Sequence, residues 1–374
     1  MNKVGILTFH CADNCGAMLQ AYGLKYYLME KKMDVEIVNY EPPFMAGRHW
    51  WIPYIPSESI VRSLIWGFSG WRTHLKRGTS FFEQRCNMKR FRKKYLIKKE
   101  QKKVIFAFQL KYLPYQSYIV GSDQIWNPDI TCGLRRAYFG AFKNRNKKKV
   151  IAYAASIGSA SLPEEYNKEF SELIKYVDSI SVREESSIPY IKRFYAKDVL
   201  AVPDPVFLLK KKRWEEIEKL PDEGGYIVVC ITEKNNKLLN YVKELSESYG
   251  LPVIKIENGI EMEDEDFKVD RTVGPSEYLG YIHKANFVVT NSFHMIAFSI
   301  IYQKKFVAFQ HSHAGERITN LLKWCELENR LYQDGKKVKI DDTIDWSKVG
   351  ERVEMSVKTA KQFLRENVEQ KWVS

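Results

Sequence analysis

The chain has 374 residues, enough for two domains with separate cores, and its 45% apolar and 28% charged composition is that of an ordinary globular protein. This composition argues against large-scale disorder. Lysine and arginine outnumber acidic residues by 59 to 46, giving a formal net charge of +13. That excess suits anionic ligands, a membrane surface or nucleic acid, and does not choose among them. No window of about 18 uncharged apolar residues is present, so no membrane span is predicted.

Cysteine usage and the first residues indicate a cytoplasmic setting. The six cysteines are scattered, and the opening MNKVGILTFH has the pattern of a first strand instead of a signal peptide. Cys11 and Cys15 lack a second pair at metal-ligand spacing. The HxH pair, His311 and His313, lacks a third ligand, so no metal site is predicted.

The first predicted strand (4–10) leads through a polar loop into a helix, and a second strand (35–40) closes a β-α-β unit. The loop fits two interpretations. It is either a well-capped helix start or a ligand-facing loop at the carboxyl edge of a sheet. The second interpretation makes four residues candidates for ligand contact: His10, Asp13, Asn14 and Gln20.

The pattern changes over residues 42–113. An apolar stretch (59–71) precedes a basic run (85–103). The run is either a solvated helical face or, with the large apolar residues before it, a segment that lies in a lipid headgroup layer. Each near-surface Lys or Arg contributes about 1 kcal/mol to binding an anionic membrane. Residues 59–103 are therefore a candidate membrane-binding surface. They contain no recognisable nucleic-acid-binding module, so no nucleic-acid partner is predicted.

Two further predicted strand ends carry polar side chains. The strand in SYIVGSDQIW is followed by Asp123, Gln124 and Trp126, which either form a capped turn or hold a sugar through hydrogen bonds and ring stacking. Arg183 ends a short strand and forms either a surface salt bridge or a clamp for a carboxylate or phosphate. Pro203 and Pro205 then mark the boundary between two domains.

The second half repeats the alternation of strands and helices, which predicts a parallel sheet with helices on both faces. A buried strand (286–290) ends in a polar turn, Asn291 and Ser292, and His294 begins the next helix. Anions are favoured at such a corner. His294 is thus a candidate general acid or a packed, capping histidine, and Arg317 is a candidate second anion contact.

Six segments, in order from Lys3 to about Arg330, resemble the polysaccharide pyruvyl transferase family. They are GILTFHCADNCGAMLQAYGL, YIVGSDQIWNP, YAASIG, SVREESS, VPDPVFLL and TNSFHMIAFSIIYQKKFVAF. The resemblance implies two Rossmann-like domains that face each other across a cleft, like the GT-B glycosyltransferases, with a C-terminal crossover helix. The expected ranges are 1–203 for the acceptor-side domain with its insertion at 42–113, 204–350 for the donor-side domain, and 351–374 for the helix that packs back.

The resemblance also implies a reaction. Family members transfer a pyruvyl unit from phosphoenolpyruvate to a sugar of a polysaccharide or lipid-linked precursor, forming a ketal and releasing phosphate. His294 matches the family histidine and is expected to be the general acid, with Asp13 or Asp123 as the base or orienting group. The expected donor contacts are Arg183, Arg317, Asn291 and Ser292. The expected acceptor contacts are His10, Asn14, Gln20, Gln124 and Trp126. No cofactor is implied, and the oligomeric state is not indicated.

This chain departs from the family pattern beside the histidine. Met295 replaces a glycine and narrows the turn, while Ser292 stands where some members have an arginine. Either Arg317 or Arg271 is expected to substitute for that arginine, or the affinity for the donor is expected to be weak. Two other functions compete with pyruvyl transfer. One is a nucleotide-sugar glycosyltransferase on the same fold, for which Glu257 is a possible ribose contact. The other is a non-catalytic sugar-binding protein.

Overall fold

The computed structural model describes residues 3–47, 54, 60–142, 148–256, 267–311, 315–334, 338, 340 and 342–369. Within these ranges, the side chains of 60–64, 66, 73 and 369 are not described. Glu257, His313 and Ser59, all named above as candidates or as part of a candidate surface, lie outside the described residues.

The first half of the chain forms a parallel six-stranded sheet in the order β2-β1-β3-β4-β5-β6. Its strands are β1 (Val4–Leu7), β2 (Val35–Ile37), β3 (Ser117–Gly121), β4 (Lys149–Ala155), β5 (Ser179–Val182) and β6 (Val199–Ala201). Their continuous apolar runs are buried because helices cover both faces of the sheet. Strand order reverses between β1 and β3, so the loops after these two strands open a crevice at the carboxyl edge.

The second half forms a parallel five-stranded sheet in the order β11-β10-β7-β8-β9. Its strands are β7 (Ile227–Cys230), β8 (Val253–Ile256), β9 (Lys268–Asp270), β10 (Phe287–Thr290) and β11 (Lys305–Ala308). The order reverses between β7 and β10, which places the turn after β10 at a second switch point. The predicted α/β architecture of two Rossmann-like domains is confirmed.

Helices connect the strands in both halves. Those of the first half are α1 (Cys15–Glu30), α2 (Pro43–Ala46), α3 (Ile60–Arg77), α4 (Thr79–Phe91), α5 (Pro128–Thr131), α6 (Asn167–Leu173) and α7 (Ile188–Lys192). Those of the second half are α8 (Lys211–Glu215), α9 (Asn236–Tyr249), α10 (Pro275–Lys284), α11 (Phe293–Ile301), α12 (Gly315–Trp324) and α13 (Trp346–Leu364). Cap residues explain several starts: Asn14 Oδ1 accepts from Ala17 N at 2.9 Å, and Asn235 Oδ1 accepts from Leu238 N at 3.0 Å.

The two halves share one apolar cluster that includes residues of α1, α10, α11 and both sheets. Helix α1 packs on the 3₁₀ segment Pro205–Leu208, and the approach is close: a Cβ added at Gly23 would lie 2.6 Å from the Pro205 carbonyl oxygen. The segment around the two prolines is therefore packed against the first half instead of spanning open solvent.

The C-terminal helix α13 contacts the first half as well. Its Phe363 ring lies 6.5 Å from that of Tyr153 in β4, and Lys149 Nζ donates to the Asn367 carbonyl oxygen at 2.7 Å. The helix begins at Trp346, five residues before the expected range of 351–374, because Asp345 caps it by accepting from Ser347 N and Lys348 N.

The insertion between β2 and β3 bridges the halves through α3 and α4. Arg77 Nη2 donates to the Arg271 carbonyl oxygen at 3.3 Å, and Asn87 Nδ2 donates to that of Thr272 at 2.8 Å. None of the described helices combines the length and apolarity needed to cross a membrane.

Candidate active site

A buried arginine and a buried aspartate meet at the carboxyl edge of the first sheet. Arg183 directly follows β5, Asp204 lies three residues after β6, and Arg183 Nη1 donates to Asp204 Oδ2 at 3.0 Å. The first turn of α11, from the second half, brings His294 Nε2 to 3.6 Å from the same carboxylate oxygen. The first and second halves of the chain therefore contribute to one ionic site.

Local sequence explains the orientation of Asp204. A residue before proline favours extended backbone, and Asp204 before Pro205 has φ −54° and ψ 144°. Its Oδ1 accepts from Val206 N at 3.1 Å, which starts the 3₁₀ segment. Its Oδ2 is left for Arg183, His294 and the Ser122 hydroxyl, which donates at 3.1 Å.

Arg183 is held by two carboxylates. Besides Asp204, Glu184 accepts from Arg183 Nε at 3.0 Å and from the Ser156 hydroxyl at 2.9 Å. Burial alone would lower the pKa of Arg183, but the two carboxylates outweigh it and raise that pKa. Burial alone would raise the pKa of Asp204, but the interaction with His294 and the charge of Arg183 hold it well below its usual range.

Arg317, in the first turn of α12, differs from Arg183 because it forms no salt bridge with any carboxylate of the described residues. Its guanidinium carbon lies 5.9 Å from the centre of the Phe293 ring, whereas that of Arg183 lies 4.6 Å from it. Its Nε is buried and has no hydrogen-bond partner among the described residues. Burial and the charge of Arg183 lower the pKa of Arg317 to about 10. A bound anion would offset both effects, because it would pair with the buried guanidinium.

These residues border a cavity of about 790 Å³. We call Arg183, Glu184, Asp204, His294 and Arg317 the charge cluster. All of its members except His294 line the cavity, as does Phe293. The cavity continues between β6, α12 and α13 along an apolar wall. That wall includes Leu200, Val202, Phe207, Leu321 and Trp324.

His294 lies behind this lining, at the contact between the two halves. It is 8% exposed, and a Cβ added at Gly16 of α1 would lie 2.2 Å from its Nδ1. Only a glycine at position 16 leaves room for the imidazole ring. The ring is thus held between a carboxylate on one side and the start of α1 on the other.

Asn291 and Ser292 shape the turn after β10. Asn291 Oδ1 accepts from Thr232 N at 2.8 Å, and Asn291 Nδ2 donates to the Glu233 carbonyl oxygen at 2.8 Å. Ser292 N donates to Thr290 Oγ1 at 2.9 Å. The Asn291 amide is occupied in joining the loops after β7 and β10, so the structure gives it a positioning role.

A family model described as polysaccharide pyruvyl transferase matches residues 14–313. The chain belongs to the polysaccharide pyruvyl transferase family. It is accordingly a pyruvyltransferase of polysaccharide biosynthesis. No curated protein sequence matches it significantly.

Solved structures with a similar fold include three sugar-modifying enzymes. The UDP-GlcNAc 2-epimerase of Methanocaldococcus jannaschii has a TM-score of 0.47 at 12% identity, over 96% of this chain and 93% of that chain. The UDP-GlcNAc 2-epimerase of Neisseria meningitidis has a TM-score of 0.45 at 10% identity, over 98% and 94%. E. coli heptosyltransferase WaaC has a TM-score of 0.41 at 9% identity, over 98% and 100%. Likenesses at these TM-scores carry no argument about substrates.

Among the predicted site residues of this pyruvyltransferase, the structure brings together Arg183, Arg317, His294 and Asp123. Asp123 follows β3 with a positive φ of 62°, and its charge reaches both arginines of the charge cluster. Its Oδ1 accepts from Gln124 N at 2.9 Å. Of the two predicted bases, Asp13 and Asp123, the half-buried Asp123 is therefore the one that lies nearer the charged groups of the cluster.

The structure corrects the expectation that Trp126 stacks on a sugar. Its side chain is fully buried, its ring stacks on that of Phe139 at 5.1 Å, and its Nε1 donates to the Tyr138 carbonyl oxygen at 2.9 Å. Gln124 is also engaged, since its Oε1 accepts from Asn127 Nδ2 at 2.7 Å. The strand end was identified correctly, but the indole points into the core.

Three predicted residues of the loop after β1 and of α1 have structural contacts instead. Gln20 is fully buried, and its Nε2 donates to Thr8 Oγ1 at 2.7 Å. Asn14 is the exposed cap of α1. Asp13 pairs with Arg92 at 2.8 Å and with Arg85 at 3.7 Å, so two cations already compete for the carboxylate proposed as a base.

His10 is likewise a core residue. It is fully buried, and its Nδ1 lies 3.3 Å from the Thr8 carbonyl oxygen. Burial, with a smaller contribution from the charge of Arg92, lowers the pKa of His10 to about 4. An acceptor sugar cannot reach this ring without opening the core.

Sequence reasoning missed Asp204 and Glu184 as site residues. Asp204 lies between Pro203 and Pro205, which mark the predicted boundary, and Glu184 directly follows the candidate Arg183. A signal was present in the sequence: each acidic residue follows a predicted strand, at the same sheet edge as Arg183. A buried arginine at that edge requires carboxylate partners.

The described residues contain no group of three or more His, Cys, Asp or Glu side chains that could hold a metal ion. His311 Nδ1 lies 3.3 Å from Glu233 Oε2.

We expect His10 to make stability depend on pH. The folded-state pKa of about 4 lies below the unfolded value of 6.5, so the unfolded chain binds a proton first as pH falls. The contribution of the neutral His10 ring to the free energy of unfolding is fully present above about pH 6.5 and is lost as the pH falls towards 4. From about pH 7 to about pH 5, the free energy of unfolding should fall by about 2 kcal/mol more in the wild type than in His10→Gln, measured by urea unfolding. Equal losses would contradict this account.

We expect Gly16→Ala to reduce turnover without removing any ionisable group. The added Cβ would lie 2.2 Å from His294 Nδ1, so the ring must shift from its present position relative to Asp204. A displacement of this size can lower turnover by about 10²-fold. The control is Gly350→Ala, a helical position in α13 with open space around the added methyl. Wild-type turnover in Gly16→Ala, at an unchanged melting temperature, would show that the position of His294 does not matter.

Proposed function

We propose that this pyruvyltransferase takes its pyruvyl group from phosphoenolpyruvate and transfers it to a sugar of a polysaccharide or lipid-linked precursor. One sugar hydroxyl oxygen bonds to C2 of the donor while a proton is added to its methylene carbon. A second hydroxyl oxygen then bonds to C2, and the C2–O bond to phosphate breaks. The products are a cyclic ketal and inorganic phosphate.

The observation that carries the proposal is the unpaired Arg317 beside a neutralised Arg183. Phosphoenolpyruvate carries a carboxylate and a phosphate, which need fixed cations in a site with little water. Arg183 alone would not supply a positive charge, because the two carboxylates of Asp204 and Glu184 outweigh it. Arg317 supplies a cation at the cavity wall, and Arg183 Nη2 has no hydrogen-bond partner among the described residues.

His294 is the proposed proton donor to the methylene carbon. Asp204, 3.6 Å from its Nε2, is the proposed positioning residue that fixes the ring, since Asp204 is itself held by Arg183 and Ser122. Asp123 is the proposed base for the sugar hydroxyl. It is half-buried, whereas Asp13 is occupied by Arg92 and Arg85.

The apolar wall of the cavity fits the less polar part of the substrates. Phe207 and Trp324 lie edge to face at 5.2 Å and offer aromatic surface for the ring of a sugar. Their neighbour Leu200 in β6 is 41% exposed. A sugar placed there would lie beside the charge cluster, because both belong to the same cavity.

The direct test incubates the chain with phosphoenolpyruvate or UDP-sugars and a panel of soluble and lipid-linked glycans, and reads the acceptor by mass. A gain of one pyruvyl group with release of one phosphate is expected. His294→Ala should lower turnover by about 10²–10⁴-fold and leave the melting temperature unchanged. A gain of a hexose, or no change with either donor, would overturn the proposal.

The two arginines should behave differently on replacement. Arg317→Met is expected to abolish stabilisation of the protein by phosphoenolpyruvate in a thermal melt while leaving the ligand-free melting temperature near that of the wild type. Arg183→Met leaves Asp204 and Glu184 buried without their cation, so the free energy of unfolding should fall by about 3–5 kcal/mol. Arg193→Met, which removes the same charge from α7's end outside the cavity lining, is the control. Undiminished stabilisation by phosphoenolpyruvate in Arg317→Met would place the donor elsewhere.

A further inference from the structure

Four large apolar side chains point into solvent within eight residues of the insertion. The exposed fractions are 39% for Ile105, 55% for Phe106, 62% for Phe108 and 74% for Tyr112. We call residues 105–112 the aromatic strip. The Phe106 and Phe108 rings lie parallel at 5.8 Å, so they form one continuous surface. Contiguous exposed apolar surface of this kind marks an interaction site in soluble proteins.

The backbone of the aromatic strip is firmly held. Gln109 Oε1 accepts from Ile105 N at 3.1 Å and from Phe106 N at 2.9 Å, and the 3₁₀ segment Ala107–Tyr112 follows. Leu110 is fully buried, and the Tyr118 hydroxyl donates to its carbonyl oxygen at 2.6 Å. The strip is a folded element that buries one side chain and presents the large ones outwards.

The charge around the aromatic strip is positive. Residues 101–116 contain three lysines and no acidic residue. Lys102 and Lys111 are exposed, and Lys103 pairs with Glu41 at 2.6 Å. Lys148 adds a fourth ammonium group, which donates to the Lys111 carbonyl oxygen at 3.2 Å. Glu100, which directly precedes residues 101–116 and is exposed, is the nearest acidic residue in the sequence.

The basic run that precedes the strip extends this charge. Residues 85–100 contain eight Lys or Arg residues and one acidic residue. Some of them are neutralised internally, since Arg92 pairs with Asp13 and Lys98 with Glu36, each at 2.8 Å. Exposed cations remain along the run. They include Lys89, Arg90, Lys93, Lys94 and Lys99.

We propose that the aromatic strip docks this protein on an anionic lipid bilayer. Aromatic side chains are favourable at the boundary between headgroups and acyl chains, and lysine ammonium groups attract anionic headgroups. A second copy of this chain is a poorer occupant, because it would bring lysines against lysines around the same rings. Attachment at this surface is independent of the chemistry proposed at the charge cluster.

This surface differs from the one predicted over residues 59–103. On α3, Ile65 and Phe68 are each 59% exposed, while Trp71 is half-buried. The side chains of Ile60, Leu64 and Trp66 are outside the described part of the chain. The proposed surface keeps the basic run at 85–103. Its apolar side chains, however, come from the aromatic strip, which follows that run in the sequence.

The test is sedimentation of the full chain with vesicles of phosphatidylcholine, with and without phosphatidylglycerol. The wild type should bind the anionic vesicles, and salt should weaken binding. Phe106→Ser combined with Phe108→Ser should lower the affinity by about tenfold or more, because two aromatic side chains lose their insertion. The matched control combines Leu220→Ser with Met355→Ser, two side chains exposed to 44% and 65% elsewhere. All variants should keep the wild-type melting temperature.

Three outcomes would overturn the proposal. One is equal affinity of wild type and strip variant for anionic vesicles. Another is loss of binding in Ile65→Ser combined with Phe68→Ser while the strip variant still binds, which would assign docking to α3. The third is a wild-type dimer that the strip variant abolishes in light scattering, which would assign the rings to self-association. Transferase activity towards a soluble acceptor should remain in the strip variant. A result against membrane docking can therefore be distinguished from a result against the proposed reaction.

Discussion

The buried pair of Arg183 and Asp204 is the interaction on which the site depends. It joins the ends of β5 and β6 and orients the Asp204 carboxylate beside His294. The charges of both residues also act on the pKa of Arg317. Removing ions from water is costly, and such a pair is stable only when other hydrogen bonds satisfy it. Ser122, Ser156 and Glu184 provide those bonds here. The same contacts that stabilise the sheet edge therefore position the proposed chemistry.

The arrangement separates two tasks between two arginines. Arg183 has carboxylate partners and acts as a fixed internal cation, whereas Arg317 keeps its charge available at the cavity wall. This division also bears on Ser292, which stands where some family members have an arginine. Arg317 reaches the same corner from α12, across the Phe293 ring, and offers the missing charge. The backbone of Arg271, the other candidate substitute, contacts the insertion, since its carbonyl oxygen accepts from Arg77 Nη2 at 3.3 Å.

Much of the architecture was accessible from the sequence because alternating strands and helices permit few arrangements. The predicted strand at 286–290 is β10 with one residue fewer. Strand ends also located Arg183 and His294. They could not show which way a side chain turns, so Trp126, Gln20 and His10 were assigned to ligands although tertiary packing buries them. Asp204 was overlooked because its role depends on a partner that arrives from the other half of the chain.

The central claim is that phosphoenolpyruvate binds at Arg317, beside the other members of the charge cluster. A crystal structure of the chain with phosphoenolpyruvate measures this most directly. The account predicts an acidic group of the donor within hydrogen-bond distance of the Arg317 guanidinium, with the methylene carbon towards His294. A donor bound outside this cavity, with Arg317 still unpaired, would contradict it.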